Sequence, residues 1–249
     1  MVRGPKSDVM ESPILVTASR GGVEAVDRAL TILASFQRGR ERQSLAQLAA
    51  NTGYYKSTIL RLSHSLEHAG YLHRGADGCF GLGTEPLRLA EVYRRGSPGL
   101  ESHVRPVLRD VCRDSGETAS FFRRHGNRRL CMFREETRHA IRDHVMEGDL
   151  LPLDVGAAGH VLTKFATTQP GSDLGRDLPI SSFGERDPET AAIAAPVFAR
   201  DGLCGALAIS GPGSRLSPDR MKELAPMLIA HARHLSRLLG GHAWESEAC

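Results

Sequence analysis

In the stretch TGYYKSTILRLSHSLEHAGYL, residues 52–72, side chains able to donate hydrogen bonds recur at helical spacing. Ser57, Arg61, His64 and His68 share one side of a helix, while Ile59, Leu62, Leu66 and Ala69 make an apolar stripe on the other. Leu60 lies on the polar side, an odd place for a leucine on a plain solvated surface. Such a face has the chemistry to read base pairs. Arg61 can give two parallel hydrogen bonds to guanine O6 and N7, and Leu60 can pack on a thymine methyl. Ser57 and Thr58 stand in the first turn, where hydroxyls and free backbone N–H groups suit phosphates or base edges. The alternative for Arg61 and His64 is a merely solvated face. His64 and His68, four apart, also have the spacing of two metal ligands. No well-placed third and fourth ligand accompanies them, although His73 and Cys79 are nearby, so no metal or cofactor is expected.

The elements that would hold this helix are legible on either side of it. Val23, Val26, Leu30 and Leu33 repeat at helical spacing in VEAVDRALTILASF, and GRERQ interrupts them. In SLAQLAANTG, Ser44 and Gln47 match a capping box and Gly53 supplies a C-terminal stop, with Leu45, Leu48 and Ala49 facing the first helix. After Gly70, YLHRGADGCFGLG reads as two short strands around an Asp77–Gly78 turn. Three short helices and a two-stranded ribbon make a winged helix-turn-helix over residues 23–83, with NTGYY as its tight turn. In that arrangement Tyr54, Tyr55 and Lys56 sit where phosphate contacts are expected, and Tyr55 could also enter the groove. Ser44, at a second helix N-terminus, is a further phosphate ligand, and Arg74 on the wing reaches the backbone or the minor groove. Residues 1–22 read as a disordered leader, without the continuous apolar run of a signal peptide.

Residues 84–97 read as a linker helix, EPLRLAEVYRRG, and SPG places a domain boundary near Ser97. From residue 98 to 249 the pattern is mixed. A helix LESHVRPVLRDVCRDSG precedes strand-like runs TASFFRRH, RRLCMFREE and AIRDHVMEG. GAAGHVLTKFA is a small-residue turn entering a helix, followed by strands AAIAAPVFA and GALAISGP. A last helix begins at Ser217–Pro218, carries a stripe of Leu224, Leu228, His231, Leu235 and Leu238, and should kink at Pro226. This half is α+β, an antiparallel sheet with helices.

Composition narrows the class. With 41% hydrophobic and 24% charged residues the chain reads as a soluble globular protein, and no apolar run nears the ~20 residues that cross a bilayer. No membrane partner is expected, and a cytoplasmic location is. The five cysteines, at 79, 112, 131, 204 and 249, never form CxxC and suggest neither a disulfide framework nor a zinc site. The net charge of +3 is uneven: residues 1–95 hold 13 Lys and Arg against 9 Asp and Glu, and the remainder 19 against 20. The surplus therefore travels with the polar helix, a weak pointer to a polyanion.

In order and spacing, VDRALTIL, SLAQLAANTGYYKSTILRLSHSLEHAGYL, DSGETASFF, GAAGHVL, IAAPVF, ALAISGP and RMKELAPML resemble the IclR family of bacterial transcription regulators, from Val23 to Gly240. The resemblance implies a winged helix that binds double-stranded operator DNA as a dimer, and a GAF-like C-terminal domain sensing a small molecule. Two departures stand out. Tyr55 occupies a position where the family often has Pro, and the stretch between Lys164 and Ile193 is shorter than usual.

The resemblance carries Gly156 and Ala157 onto the loop lining the effector pocket, where backbone N–H groups at a helix start can hold a carboxylate. Close helix–sheet packing would select the same small residues. Ser210 matches a polar pocket position, whereas Ala192 and Ala208 stand where members binding small keto acids have Cys and Ser. The expected pocket is therefore less polar, suited to an aromatic or branched carboxylate, with Met132, Met146 and Leu153 as apolar lining or ordinary core. The arginines of RRHGNRRL and FREETRHAIRDH read as the coat of an exposed sheet edge. The expected protein is a ligand-responsive regulator, a repressor binding a pseudo-palindromic operator as a homodimer or tetramer. The rivals are a sequence-tolerant architectural DNA-binding protein, disfavoured by the nearly neutral second half, and an enzyme, for which no G-x-S-x-G, H-E-x-x-H, P-loop or G-x-G-x-x-G appears.

Overall fold

The computed structural model describes residues 22–96, 99–168, 174, 178–241 and 244. The expected leader (save Gly22), the boundary at Ser97 and residues 169–173 and 175–177 lie outside the described residues. The chain divides into two compact units, Met1–Gly96 and Ser97–Cys249.

The first unit contains α1 (Glu24–Ala34), β1 (Arg42–Gln43), α2 (Leu45–Thr52), α3 (Lys56–His68), β2 (Leu72–Arg74), β3 (Phe80–Leu82) and α4 (Glu85–Gly96). The Ser44 hydroxyl and Gln47 side chain cap α2 reciprocally, and Gly53 ends it at φ 73°, a left-handed conformation that costs a glycine least. That turn throws α3 across α2, and both share a core of Ile32, Leu48, Ile59, Leu62, Leu66, Leu72 and Phe80. Ala69 departs from the expected stripe: it falls in the helix cap and is exposed, while Ser63 is buried in α3. Val23, the N-cap of α1, and Val26 and Leu30 within the helix are exposed, and Ile32 turns inward.

The wing has three strands rather than two, in the order β1-β3-β2. The additional strand comes from the polar segment that looked like a simple break. Gln43 is buried there, its amide donating to the Ser35 carbonyl at 3.0 Å and accepting from Asn51 Nδ2 at 2.6 Å. A polar side chain with both ends satisfied can occupy a core position, which an apolar-pattern reading does not detect. Helix α4 buries none of its residues, and Leu87, Leu89, Val92 and Tyr93 are exposed along it.

The second unit contains α5 (Leu100–Ser115), β4 (Thr118–His125), β5 (Arg128–Glu135), β6 (Leu150–Pro152), α6 (Ala157–Lys164), β7 (Ile180–Phe183), β8 (Thr190–Ala199), β9 (Gly202–Pro212) and α7 (Pro218–Leu238). Its six strands form one antiparallel sheet in the order β6-β5-β4-β9-β8-β7. Helices α5 and α7 cover one face and α6 covers the other. Side chains alternate across strands, so Ile193, Ala195, Leu207 and Ile209 join the α5–α7 core, whereas Ala194, Ala206 and Ala208 face α6. Small residues on that second face let α6 approach closely.

Several expectations change here. AIRDHVMEG is no strand, because side chains take its backbone groups. Arg134 Nη2 donates to the Asp143 carbonyl at 2.6 Å, Val145 N–H to Asp143 Oδ1 at 3.3 Å, and Met146 N–H to Asp149 Oδ2 at 2.8 Å. The short β6 and β7 were absent from the expected set. Leu238, expected in the apolar stripe of α7, is exposed at the end of a helix that continues past Pro226. The arginines do not simply coat an edge: β5 is an inner strand, and Arg129 and Arg134 are buried.

Glu117, also buried, is paired with Arg215 through Nε at 2.5 Å and Nη2 at 2.9 Å. Arg215→Met strands this carboxylate and should lower unfolding free energy by roughly 3 kcal/mol, read from the urea midpoint. The double change Glu117→Gln, Arg215→Met should recover much of that loss.

Candidate nucleic-acid interface and ligand cavity

Burying Ile59, Leu62 and Leu66 forces the opposite side of α3 into solvent. Lys56, Ser57, Leu60, Arg61, His64 and His68 are exposed there, and Glu67, half-buried, is the only acid of the helix. Tyr55 caps α3 through its backbone only and is 86% exposed. Among the described residues no side chain caps the first-turn N–H groups of α3, in contrast to α2 with its capping box. Open donors, the positive end of a helix dipole and Lys56 coincide, an arrangement that attracts phosphate. Thr58 is half-buried beside them.

The flanking residues are less free than their types suggest. Tyr54 is half-buried with the Arg28 guanidinium 5.7 Å from its ring centre. Ser44 Oγ accepts from Gln47 N–H at 3.3 Å, which leaves its own proton available to an acceptor. Arg74 stacks over Phe80 at 5.2 Å and donates to the Gly78 carbonyl at 3.3 Å, so it is held against the wing. Arg42 bonds Asp77 at 2.7 Å and ties β1 to the wing turn. Among the described residues no group of His, Cys, Asp and Glu has the arrangement of a metal site.

In the second unit, sheet register assembles a cavity of about 40 Å³ beneath α6. Ser182 pairs with Ala192 and Ala192 with Ser210, so one row across β7, β8 and β9 forms its floor. Gly156, Ala157 and Ala208 line it as well, whereas Met132, Met146 and Leu153 do not. Met132 packs against the α5–α7 core, Met146 is largely exposed, and Leu153 lies in the core around α6. The small residues fall in two kinds of place. Gly156 and Ala157 line the cavity, while a Cβ on Gly159 would stand 2.3 Å from the Leu153 carbonyl oxygen.

The cavity is also more charged than expected, since Arg129, Asp143, Glu185 and Arg186 reach its wall. They come from three separate stretches, namely strand β5, the loop between β5 and β6, and the loop between β7 and β8, which the fold brings together. Asp143 bonds Arg186 at 2.6 Å. Burial pushes its carboxyl up, but the charges of Arg186 and Arg134 and the Val145 N–H outweigh this and hold it below the usual carboxylate range. Burial, with repulsion from Arg186, draws the Arg129 guanidinium down to about 10. The free cysteines 79, 112, 131 and 204 are all half-buried or buried, and burial raises the Cys131 thiol to about 12.

A winged helix-turn-helix with an open, cationic third helix, joined to an α+β unit with an internal cavity, defines a class of DNA-binding proteins. Residues 25–76 match the IclR helix-turn-helix domain, and residues 181–237 match the C-terminal domain of bacterial transcriptional regulator IclR. The chain is 25% identical over 272 residues to the transcriptional repressor IclR of Escherichia coli K12, covering 96% of each. It is 25% identical to the regulator KipR of Bacillus subtilis strain 168, covering 79% of this chain and 90% of that one. An IclR regulator structure from Silicibacter sp. TM1040 superposes at a TM-score of 0.73 with 26% identity, over 87% of this chain and 96% of the other. An IclR homologue from Microbacterium hydrocarbonoxydans, solved with 4-hydroxybenzoate, shares the fold at TM-score 0.67 and 19% identity, over 86% and 98% of the chains. The chain belongs to the IclR family of transcriptional regulators. The curated members that it matches are transcriptional regulators and repressors.

Two outcomes follow from this geometry. Arg61→Ala should lose roughly 1–3 kcal/mol of discrimination at one base-pair position, measured by binding to a library of singly altered sites. Because the Asp143 carboxyl is depressed on folding, its stabilisation is full above its unfolded value near ~3.9 and is lost as pH falls through the folded value. Asp143→Asn should therefore flatten the acid limb of the stability profile of the second unit.

Proposed function

We propose that this protein is a ligand-responsive repressor that binds a pseudo-palindromic operator as a dimer or tetramer and senses a small carboxylate. The observation that carries this reading is the outward face of α3, where cationic and hydroxyl side chains surround first-turn N–H groups without side-chain caps. Ser57, Leu60, Arg61 and His64 address the major groove, and Tyr54, Tyr55, Lys56, Thr58, Ser44 and Arg74 address the flanking backbone.

Self-association is supported by apolar residues left in solvent. Val23 at the start of α1, Val26 and Leu30 on it, and Leu87, Val92 and Tyr93 on α4, are each more than 45% exposed. Two-fold pairing would cover such residues and set two recognition helices ~34 Å apart, or a multiple of it, on one side of a duplex. Sensing is supported by the cavity under α6 and by 4-hydroxybenzoate in the related Microbacterium structure. Ligand and DNA would then be linked through the oligomer, with about 1–3 kcal/mol of coupling. A cytoplasmic location accords with an operator as partner and with the lack, among the described residues, of any helix long and apolar enough to cross a membrane.

The decisive experiment is binding to DNA from immediately upstream of the gene, against an unrelated duplex, over a salt series. Tight, saturable binding to the upstream fragment is expected, with log affinity falling by about 0.9 per phosphate neutralised for each unit of log salt. Equal and steeply salt-dependent affinity for both duplexes would favour a sequence-tolerant architectural protein.

A further inference from the structure

Two donors at the start of α6, the N-cap Gly156 and the first helical residue Ala157, are already engaged. Gly156 N–H donates to Glu185 Oε2 at 2.6 Å, and Ala157 N–H donates to Ser182 Oγ at 2.9 Å. His160 Nε2 lies 2.7 Å from the same Glu185 oxygen. A carboxylate belonging to the chain thus occupies the place where the helix dipole and a free N–H favour an anion. Burial raises the Glu185 carboxyl, but the Gly156 N–H, His160 and Arg129 outweigh it and hold it below the usual range.

Beside this filled seat lies an unfilled demand. Arg129 is only 4% exposed, lines the cavity, and has Nη2 3.1 Å from where a Cβ on Gly156 would stand. Its Nη1 donates to the carbonyls of Pro152 and Val155, while Nε has no acceptor among the described residues. Among the described residues no carboxylate forms an ion pair with it; Asp143 is committed to Arg186 at 2.6 Å. Asp143, Glu185 and Asp154 act on its charge only from a distance. A buried guanidinium without a carboxylate bonded to it is costly, and an anion in direct contact relieves that cost.

The space itself must enlarge to admit one. About 40 Å³ holds a few waters, far less than a ligand-sized cavity of ~300 Å³ or more. Ser182 is fixed within β7, but Glu185 belongs to the loop after it and its side chain is 35% exposed, so it can swing outward without unpacking the core. Replacing one carboxylate by another leaves the charge of the site unchanged.

Resting on the sensor reading above, we propose that Glu185 is a built-in competitor. The ligand is a small monocarboxylate with an apolar tail, whose charge settles between Arg129 and the α6 N-terminus and evicts the Glu185 side chain. Its tail would lie over Phe122, Val145, Ala192 and Ala208, which supply the apolar part of the wall.

The test uses the full-length protein, titrated calorimetrically with benzoate, isovalerate and the uncharged benzamide. At least one acid should bind and benzamide should not. Glu185→Gln should bind the acid about tenfold more tightly, and Arg129→Gln about tenfold more weakly. A gain in Glu185→Gln cannot arise from misfolding, so the proposal stays testable even if the Arg129 variant does not fold. It is overturned if Glu185→Gln binds no tighter than the parent, if benzamide binds as well as benzoate, or if neither acid binds either protein. Repeating the titration on protein bound to its upstream DNA separates the two readings. Acid binding in the expected order without any change in DNA affinity would uphold the site and overturn the sensor. Ligand-dependent release of DNA, with no gain in Glu185→Gln, would do the reverse.

Discussion

A sheet covered by helices on both faces must hide both sides of its central strands, and the architecture of the second unit follows from how β8 and β9 meet that demand. Large residues such as Ile193, Leu207 and Ile209 are given to α5 and α7, while alanines are given to α6. One face is therefore thick and fully packed. The other is shallow, so that an eight-residue helix can lie close, with Gly159 against the Leu153 carbonyl. Where the shallow face runs beyond the helix start, the alanines leave a gap. Cavity and core are two results of one alternation in side-chain size.

The two units treat the same backbone problem in opposite ways. Every helix begins with N–H groups that lack partners within the helix. In the first unit Ser44 closes the Gln47 donor of α2, and among the described residues those of α3 receive no side-chain cap. In the second unit α6 has no capping residue of its own, and two side chains from distant strand and loop positions supply the acceptors. An uncapped helix start facing water and one closed by a remote carboxylate differ in what can replace the partner. Water leaves the first readily, whereas the second requires another anion.

Much of this was legible in the sequence, for identifiable reasons. The helix-turn-helix was readable because its cap, turn glycine and apolar stripe are local signals within a few residues. Strands β4, β5, β8 and β9 were readable because they are long and rich in apolar or β-branched residues. The third wing strand escaped because Gln43 is buried through hydrogen bonds rather than hydrophobicity. The segment around Asp143 mimicked a strand by composition, yet its backbone is claimed by side chains. At the cavity, Gly156, Ala157, Ala192, Ala208 and Ser210 were expected through family resemblance, while Arg129, Ser182, Glu185 and Arg186 were not. Charged residues in a loop and an arginine in a run of arginines look like surface. Only the strand register shows that they converge, and the pairing of Ser182 with Ala192 was the one cue that correct strand assignment could have supplied.

The third strand of the wing has a mechanical meaning for the first unit. Residues Arg42 and Gln43 pair with β3 and run directly into Ser44, the residue that caps α2. Arg42 also grips Asp77 at the wing tip. Wing, cap and helix pair are thereby fastened in a closed circuit, and a displacement at the tip would be felt at the start of α2 and through Gly53 by α3. The unit is built as a stamp rather than a pair of fingers: the spacing between wing tip, α2 start and α3 is set by bonds within it.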